Sequence, residues 1–382
     1  MPRPTHADSS ILAYYITAHG FGHGARSCDI LSALLRARPD LTLHVVTDLP
    51  PEFLAARLPP GDVRHRPGRF DAGMVQLDSI RVDVAASLRA ATELADRTHE
   101  LAALERLFMI DERVGAVVCD IPAIPLIAAA RAGLPALAVG NFAWDWIYEG
   151  FVERDPNWEP VVETFREAYR GTDLLLRLPF AEPMAVFHRR HDLPLVARPG
   201  RNRRAEMAAR LGLRADRPWV LLSFTTLEWD EAALRRVQAL RGYEFLTVLP
   251  LRWEGPNFRA IDRRVFSYSD VLASSDIVLT KPGYGVLSEC AVNGKPMVYT
   301  ERTDFREYPV LEAAVHRYFR HHHLPARDLY RGDLQDALEA VQRAPAPLER
   351  LAAGGDDEAA RIILRYLDRG APDRWLEQIK ES

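Results

Sequence analysis

Ser275–Tyr299, SDIVLTKPGYGVLSECAVNGKPMVY, is the stretch on which the reading of this chain turns. An apolar run, Ile277–Leu279, leads into Lys281-Pro282-Gly283-Tyr284-Gly285, then a helical pattern carrying Ser288 and Glu289, then Gly294 and a second apolar run at Met297–Tyr299. The order is strand, glycine turn, helix, strand. Glycines at such a turn let the backbone approach an anion closely, and the helix that follows points free N–H groups and its positive dipole end at it. A phosphate is the expected guest. Glu289, one helical turn inside, is placed to hydrogen-bond vicinal hydroxyls such as those of a ribose. An ordinary β-α-β unit whose glycines only permit a tight turn has the same pattern, so other parts of the chain have to decide.

The amino-terminal region repeats the arrangement. Ile11–Thr17 reads as a buried strand and Ala25–Arg38 as a helix with Ile30, Leu31, Leu34 and Leu35 on one face; between them lies His19-Gly20-Phe21-Gly22-His23-Gly24. In open parallel sheets such loops lie at the carboxyl ends of strands, where ligands bind. A histidine in a glycine turn is commonly structural, but two of them flanking Gly-Phe-Gly point toward chemistry. An imidazole near neutral pH accepts a proton from a hydroxyl without a strongly perturbed pKa.

The alternation continues with a strand at Leu43–Thr47, a long helical segment expected over 79–108, and a compact strand, Gly115–Cys119, that ends at Asp120. Asp120 reads either as the N-cap of the next helix or as a carboxylate that orients a histidine. After the strand Pro135–Val139 comes an aromatic loop, Gly140-Asn141-Phe142-Ala143-Trp144-Asp145-Trp146-Ile147-Tyr148. Those rings either close the core or, with Asn141 and Asp145, form an acceptor-binding wall. A domain junction is expected near Leu195–Asn202, so that residues 1–198 form one Rossmann-like domain, 199–355 a second, and 356–382 a helical segment that packs back on the first. Arg201, Arg203 and Arg204 read as a solvated helix start or as phosphate ligands. In the second domain Trp219–Phe224 and Tyr243–Leu249 are strands. The polar run Glu301–Pro309 is either a solvated surface or a loop in which Asp304 or Glu307 binds sugar hydroxyls. The triplet His321–His323 is not read as a metal site, because adjacent residues there point in different directions.

Composition narrows the classes. The chain has 382 residues, enough for two cores, with 48% hydrophobic and 27% charged residues and a formal net charge of −4, so neither nucleic acid nor an anionic membrane is the expected partner. Cys28, Cys119 and Cys290 are far apart, which suggests no disulfide framework and no zinc site. No signal peptide and no integral membrane segment is read, and a cytoplasmic location is expected.

The motifs taken together resemble the GT-B class of nucleotide-sugar glycosyltransferases. They are similar to its family-28 group, which includes the bacterial N-acetylglucosaminyltransferase of lipid II synthesis, and more closely to the glycosyltransferase-like amino-terminal region of L-arabinokinases and its stand-alone bacterial relatives. The residues that carry the resemblance are YYITAHGFGHGARS at 14–27, VVTDLP at 45–50, GNFAWDWIY at 140–148, LLLRLPF at 174–180 and SSDIVLTKPGYGVLSECAVNGKP at 274–296. The resemblance implies an α/β fold of two Rossmann-like domains whose parallel sheets face an interdomain cleft. It implies a donor side at Lys281, Gly283, Tyr284, Gly285, Ser288, Glu289, Arg306 and Glu307, and an acceptor side at Asn141, Trp144 and Asp145. The expected reaction is metal-independent, inverting transfer from a nucleotide sugar, a UDP-sugar by preference, to a hydroxyl acceptor. The nucleotide sugar is a substrate, and no cofactor or metal is expected. His23, or His19, takes the acceptor proton, with Asp120 as the orienting carboxylate. Lys281 or one of the three arginines at 201–204 steadies the leaving diphosphate. Ser223-Phe224-Thr225-Thr226 stands where such proteins carry a glycine-rich loop, so phosphate contact is not expected there. The sequence to residue 382 lacks the phosphate loop of the sugar-kinase module, and kinase activity is not expected of it. Nucleotide-sugar epimerisation or hydrolysis, and binding without turnover, remain open alternatives.

Overall fold

The computed structural model describes residues 10–253 and 255–369. Among the described residues the strands form two sheets. The first contains β1 (Ile11–Ile16), β2 (Thr42–Val46), β3 (Asp62–Arg66), β4 (Ala116–Asp120), β5 (Ala136–Gly140), β6 (Leu174–Arg177) and β7 (Arg190–Asp192), in the order β3-β2-β1-β4-β5-β6-β7. The second contains β8 (Trp219–Ser223), β9 (Glu244–Val248), β10 (Phe258–Ile261), β11 (Ile277–Thr280), β12 (Met297–Tyr299) and β13 (His321–His323), in the order β10-β9-β8-β11-β12-β13. All pairings in both ladders are parallel. Parallel strands covered on both faces read as continuous apolar runs, and β1, β4, β5, β8 and β11 do so: they are buried along almost their whole length.

Each sheet reverses its strand order once, between β1 and β4 in the first and between β8 and β11 in the second. The loops after those strands are where open α/β sheets take ligands. The β1–β4 register pairs Ile16 with Asp120, so the segment that follows β1 emerges beside the end of β4. The helix after β1 runs Phe21–Ala37 rather than from residue 25; Gly20 is its N-cap, and His23 and Arg26 therefore lie one turn apart in its first two turns.

The contacts divide the chain into two units. Of the described residues, one unit takes in 10–74, 84–196 and 353–369; the other takes in 75–83 and 197–352. In the first, Ala359, Ile362, Ile363 and Tyr366 of the helix Gly355–Arg369 recur at helical spacing and share a core with Ile30, Leu31 and Leu34 of the helix Phe21–Ala37. Each isoleucine or leucine among them contributes about 1.5–3 kcal/mol on burial. Arg36 to Asp357 (2.8 Å) and Arg38 to Asp368 (2.7 Å) border the contact.

The segment expected as one helix over 79–108 is three elements. Val75–Asp83 is a hairpin closed by an antiparallel bridge between Gln76 and Val82, and helices follow at Val84–Asp96 and Thr98–Asp111. The hairpin belongs to the second unit although the chain on both sides belongs to the first. Ile80 enters the second unit's core beside Leu222 and Phe224, the Ser79 hydroxyl accepts from the Thr226 N–H at 3.0 Å, and the Ile80 carbonyl accepts from the Thr303 N–H at 3.3 Å. Among the described residues, no helix is long and apolar enough to cross a membrane.

Candidate functional site

In the first unit the chemistry gathers on Asp120, which is fully buried. Four polar atoms converge on its two oxygens. Oδ1 lies 2.8 Å from His23 Nδ1 and accepts from Arg26 Nη2 at 2.5 Å; Oδ2 accepts from Arg26 Nε and from Ser27 Oγ, both at 2.7 Å. The remaining guanidinium nitrogen, Arg26 Nη1, donates to Asn141 Oδ1, whose amide donates in turn to the Pro179 carbonyl. The helix after β4 begins at Ile124 with Ala123 as its cap, so Asp120 is not an N-cap. It holds His23. Burial alone would push the Asp120 carboxyl up; Arg26 and His23 overrule that and keep it well below the usual carboxylate range. Burial and the Arg26 charge lower the His23 pKa against the opposing pull of Asp120, so the ring is neutral at pH 7.

The ring of His23 meets Phe142 edge-on at 5.7 Å, and His19 meets Trp144 edge-on at 5.3 Å. His19 is half-buried; a Cβ at Gly73, whose φ is +66°, would stand 2.3 Å from its Nδ1, so that glycine is required twice over. Trp144 Nε1 donates to Asp71 Oδ2 at 3.2 Å, and burial raises the Asp71 pKa to about 6.

The expected acceptor wall is not exposed. Asn141 is 2% exposed and its side chain is committed to Arg26 and Pro179. Trp144 is 1% exposed and stacks on Tyr148, which stacks on Trp158. Asp145 is buried with Arg166 Nε at 3.7 Å, and burial raises its pKa to about 6. The stretch is not a loop but in part a short helix, Trp144–Glu149, whose rings close the core, the other of the two readings open for it.

In the second unit, β11 ends at Thr280 and the helix Tyr284–Val292 starts with Gly283 as its N-cap, without a side-chain cap. Gly283 has φ −162° and ψ 147°, an extended conformation open to any residue, so its backbone does not demand glycine. What the missing side chain leaves is room: a Cβ there would meet only the Lys281 ammonium, at 3.5 Å. Burial and the Arg302 charge lower the Lys281 pKa to about 7. Arg302 is itself buried, its guanidinium lies over the Phe305 ring, its Nη1 is 3.6 Å from Glu307 Oε1, and its Nε has no hydrogen-bond partner among the described residues. Burial brings its pKa down to about 10. Two cations that protein carboxylates do not fully compensate, at a helix N-terminus, favour an anion.

Tyr284 is buried, whereas Gly285, Ser288, Glu289, Arg306 and Glu307 are half-buried; Glu289 Oε1 accepts from Ser269 Oγ at 2.9 Å. Arg203 and Arg204 do not join this group: Arg203 pairs with Glu206, and Arg204 with Asp276 and the carbonyls of Ser274, Ala215 and Arg217. After β8, Ser223 Oγ is engaged by the Tyr268 hydroxyl (2.7 Å) and the Thr226 N–H by Ser79. No group of three or more His, Cys, Asp or Glu among the described residues is placed to hold a metal ion.

Arg26, Asp71 and Arg302 are the site residues that the sequence reading missed. Arg26 stands at i+3 from His23, the spacing that shares a helix face.

No family model matches the chain. L-arabinokinase of Arabidopsis thaliana is 31% identical to it over 364 residues, 92% of this chain; the chain spans about a third, 34%, of that protein's length. Among solved structures, a UDP-glucosyltransferase from Polygonum tinctorium capable of glucosylating indoxyl superposes with a TM-score of 0.59 at 14% identity over 98% of both chains. The calicheamicin glycosyltransferase CalG4 does so with a TM-score of 0.57 at 17% identity over 97% of both. UGT89C1 of Arabidopsis thaliana, complexed with UDP-L-rhamnose, gives 0.55 at 13% identity over 94% of this chain and 99% of its own. The fold is that of the GT-B glycosyltransferases, two parallel-sheet α/β units, as the order of the motifs leads one to expect.

Proposed function

We propose that this chain is a glycosyltransferase that uses a nucleotide sugar, a UDP-sugar by preference, and transfers the glycosyl group to a hydroxyl acceptor with inversion and without a metal ion. The observation that carries the reading is the clamped imidazole: His23 Nδ1 at 2.8 Å from the buried Asp120 carboxylate leaves Nε2 as the nitrogen with a free lone pair. In the proposed step the acceptor oxygen attacks the anomeric carbon, the bond from that carbon to the diphosphate breaks, and the acceptor proton passes to His23 Nε2. The diphosphate leaves with an added negative charge. Lys281, Arg302 and the N–H groups opening the helix Tyr284–Val292 offset it, and Glu289 holds the ribose hydroxyls.

Calorimetric titration with UDP-glucose, UDP-N-acetylglucosamine and UDP-arabinose, then product analysis with and without hydroxyl acceptors, tests this. Binding of one donor, its loss in Glu289→Ala, and a glycosylated product that disappears in folded His23→Ala are expected. If no nucleotide sugar binds and Glu289→Ala changes nothing, the reading fails; free or altered sugar without acceptor would point to hydrolysis or epimerisation instead.

A further inference from the structure

A carboxylate behind a catalytic histidine ordinarily does two things: it fixes the tautomer of the ring and it stabilises the imidazolium that forms. The environment of Asp120 separates the two. All of its acceptor directions are filled, and three of the four atoms that fill them are Arg26 Nε, Arg26 Nη2 and Ser27 Oγ. The guanidinium grips both carboxylate oxygens, so the negative charge that would welcome a proton on His23 is already matched by a fixed positive one. Arg26 Nη2 also lies 2.9 Å from His23 Nδ1. That nitrogen can serve only one of the two: accepting from Arg26 would leave its lone pair facing Oδ1, and donating to Oδ1 sets it beside an Arg26 N–H that is already turned to the same carboxylate; donation to the carboxylate is the arrangement adopted below and put to the test. The charged groups that act on the ring are Arg26, from its own helix, and Asp120, from the end of β4; from the segment after β5 the uncharged ring of Phe142 meets it.

We infer that Arg26 is a positioning residue for His23: it holds Asp120 as a tautomer clamp while cancelling its charge, so that the imidazole stays neutral, with its proton on Nδ1 and Nε2 open. Burial of the Arg26 side chain and its tie to Asn141 keep the guanidinium in register. The pH below which His23 becomes charged is thereby moved under its ordinary value of 6.5. The inference rests on the reading of His23 as the proton acceptor, but it is tested on the ring itself and needs no substrate, so failure of transferase activity and failure of this assignment are separate results.

The test is a nitrogen-15 NMR titration of the histidine side chains in the full chain, with the His23 signals identified by their loss in His23→Gln. In the unsubstituted protein the neutral ring is expected with its proton on Nδ1 and a titration midpoint below 6.5. Arg26→Met is expected to raise that midpoint by about one to three pH units, the effect of freeing an opposite charge in contact. Arg26→Lys, which keeps the charge without the two-pronged grip, is expected to keep the low midpoint and to show both neutral tautomers. A proton found on Nε2 in the unsubstituted protein overturns the inference, as does an unmoved midpoint in folded Arg26→Met. Should Arg26→Met not fold, the tautomer of the unsubstituted protein and the Arg26→Lys titration decide it.

Discussion

If Lys281 meets the donor diphosphate as proposed, its protonation sets a pH dependence on donor binding whose size follows from its environment. A free lysine titrates at 10.5; burial and the neighbouring Arg302 bring this one to about 7. A diphosphate prefers the charged ammonium, so affinity rises as pH falls through 7. About nine molecules in ten carry the charge at pH 6 and about one in ten at pH 8, so binding through the ammonium weakens about tenfold across that window, about 1.4 kcal/mol. A UDP-sugar is the right probe, because its diphosphate is a diester with no group titrating there. Calorimetry in two buffers of different ionisation enthalpy should find uptake of up to about half a proton per sugar nucleotide bound at pH 7, where half of the free protein is charged. In Lys281→Met the uptake and the slope should both vanish. Affinity independent of pH between 6 and 8, or the same slope in Lys281→Met, refutes the reasoning. The sign has a counterpart in stability. Between pH 7 and 10.5 the unfolded chain holds more protons at this site than the folded one, so this group makes stability rise with pH across that window.

Three further perturbations address other features. Asp120→Asn leaves Arg26 buried without its counter-charge and should cost about 3–5 kcal/mol in urea unfolding, whereas a loss below about 1 kcal/mol would mean that the network carries little energy. Ile80→Ala empties a core position and should loosen the hairpin by about 2–5 kcal/mol, read as faster tryptic cleavage after the exposed Arg81; an unchanged rate would show that the hairpin does not depend on that side chain. Gly283→Ala and Gly200→Ala should part company. The first keeps an ordinary backbone and should leave Tm unchanged while weakening UDP-sugar binding, because its methyl takes the space before Lys281. The second drives a Cβ to 2.0 Å from the Ser269 carbonyl oxygen and should lower Tm by itself. Equal effects of the two would contradict the geometry.

The interior strands were legible because parallel strands covered on both faces must be apolar throughout, which is how ILAYYI, AVVCD and IVLT read. Strands β3 (DVRHR) and β7 (RHD) were not: they are sheet edges whose exposed positions carry charges, and no apolar run marks them. Asp120 was legible only as one of two readings, an N-cap or a carboxylate orienting a histidine; the strand order, which sets β1 beside β4, is what brings it to His23. Arg26 was hidden because the helix begins four residues earlier than its apolar pattern suggests, which turns a residue of the expected first turn into a buried neighbour of His23. Arg302 lay in a charge run, where one buried cation looks like its solvated companions. The aromatic stretch could not be resolved between its two readings: a cluster of rings has the same composition whether it lines a pocket or fills a core, and only the burial of its side chains separates the two.

The hairpin Val75–Asp83 and the helix Gly355–Arg369 also bear on the order in which the protein can be completed. Neither unit is one continuous length of chain. The second needs Ile80, which leaves the ribosome well over a hundred residues before its core partners at Val220 and Leu222. The first needs Ile362, Ile363 and Tyr366, which are made only after residues 197–352 of the second. At about 5–20 residues per second, the first unit waits about 8–35 s with the socket between its early helix and sheet unfilled. Neither unit can be cut out as a single fragment without losing part of its core, and folding that finishes the amino-terminal part first, the usual course for a two-domain chain, is closed to this one.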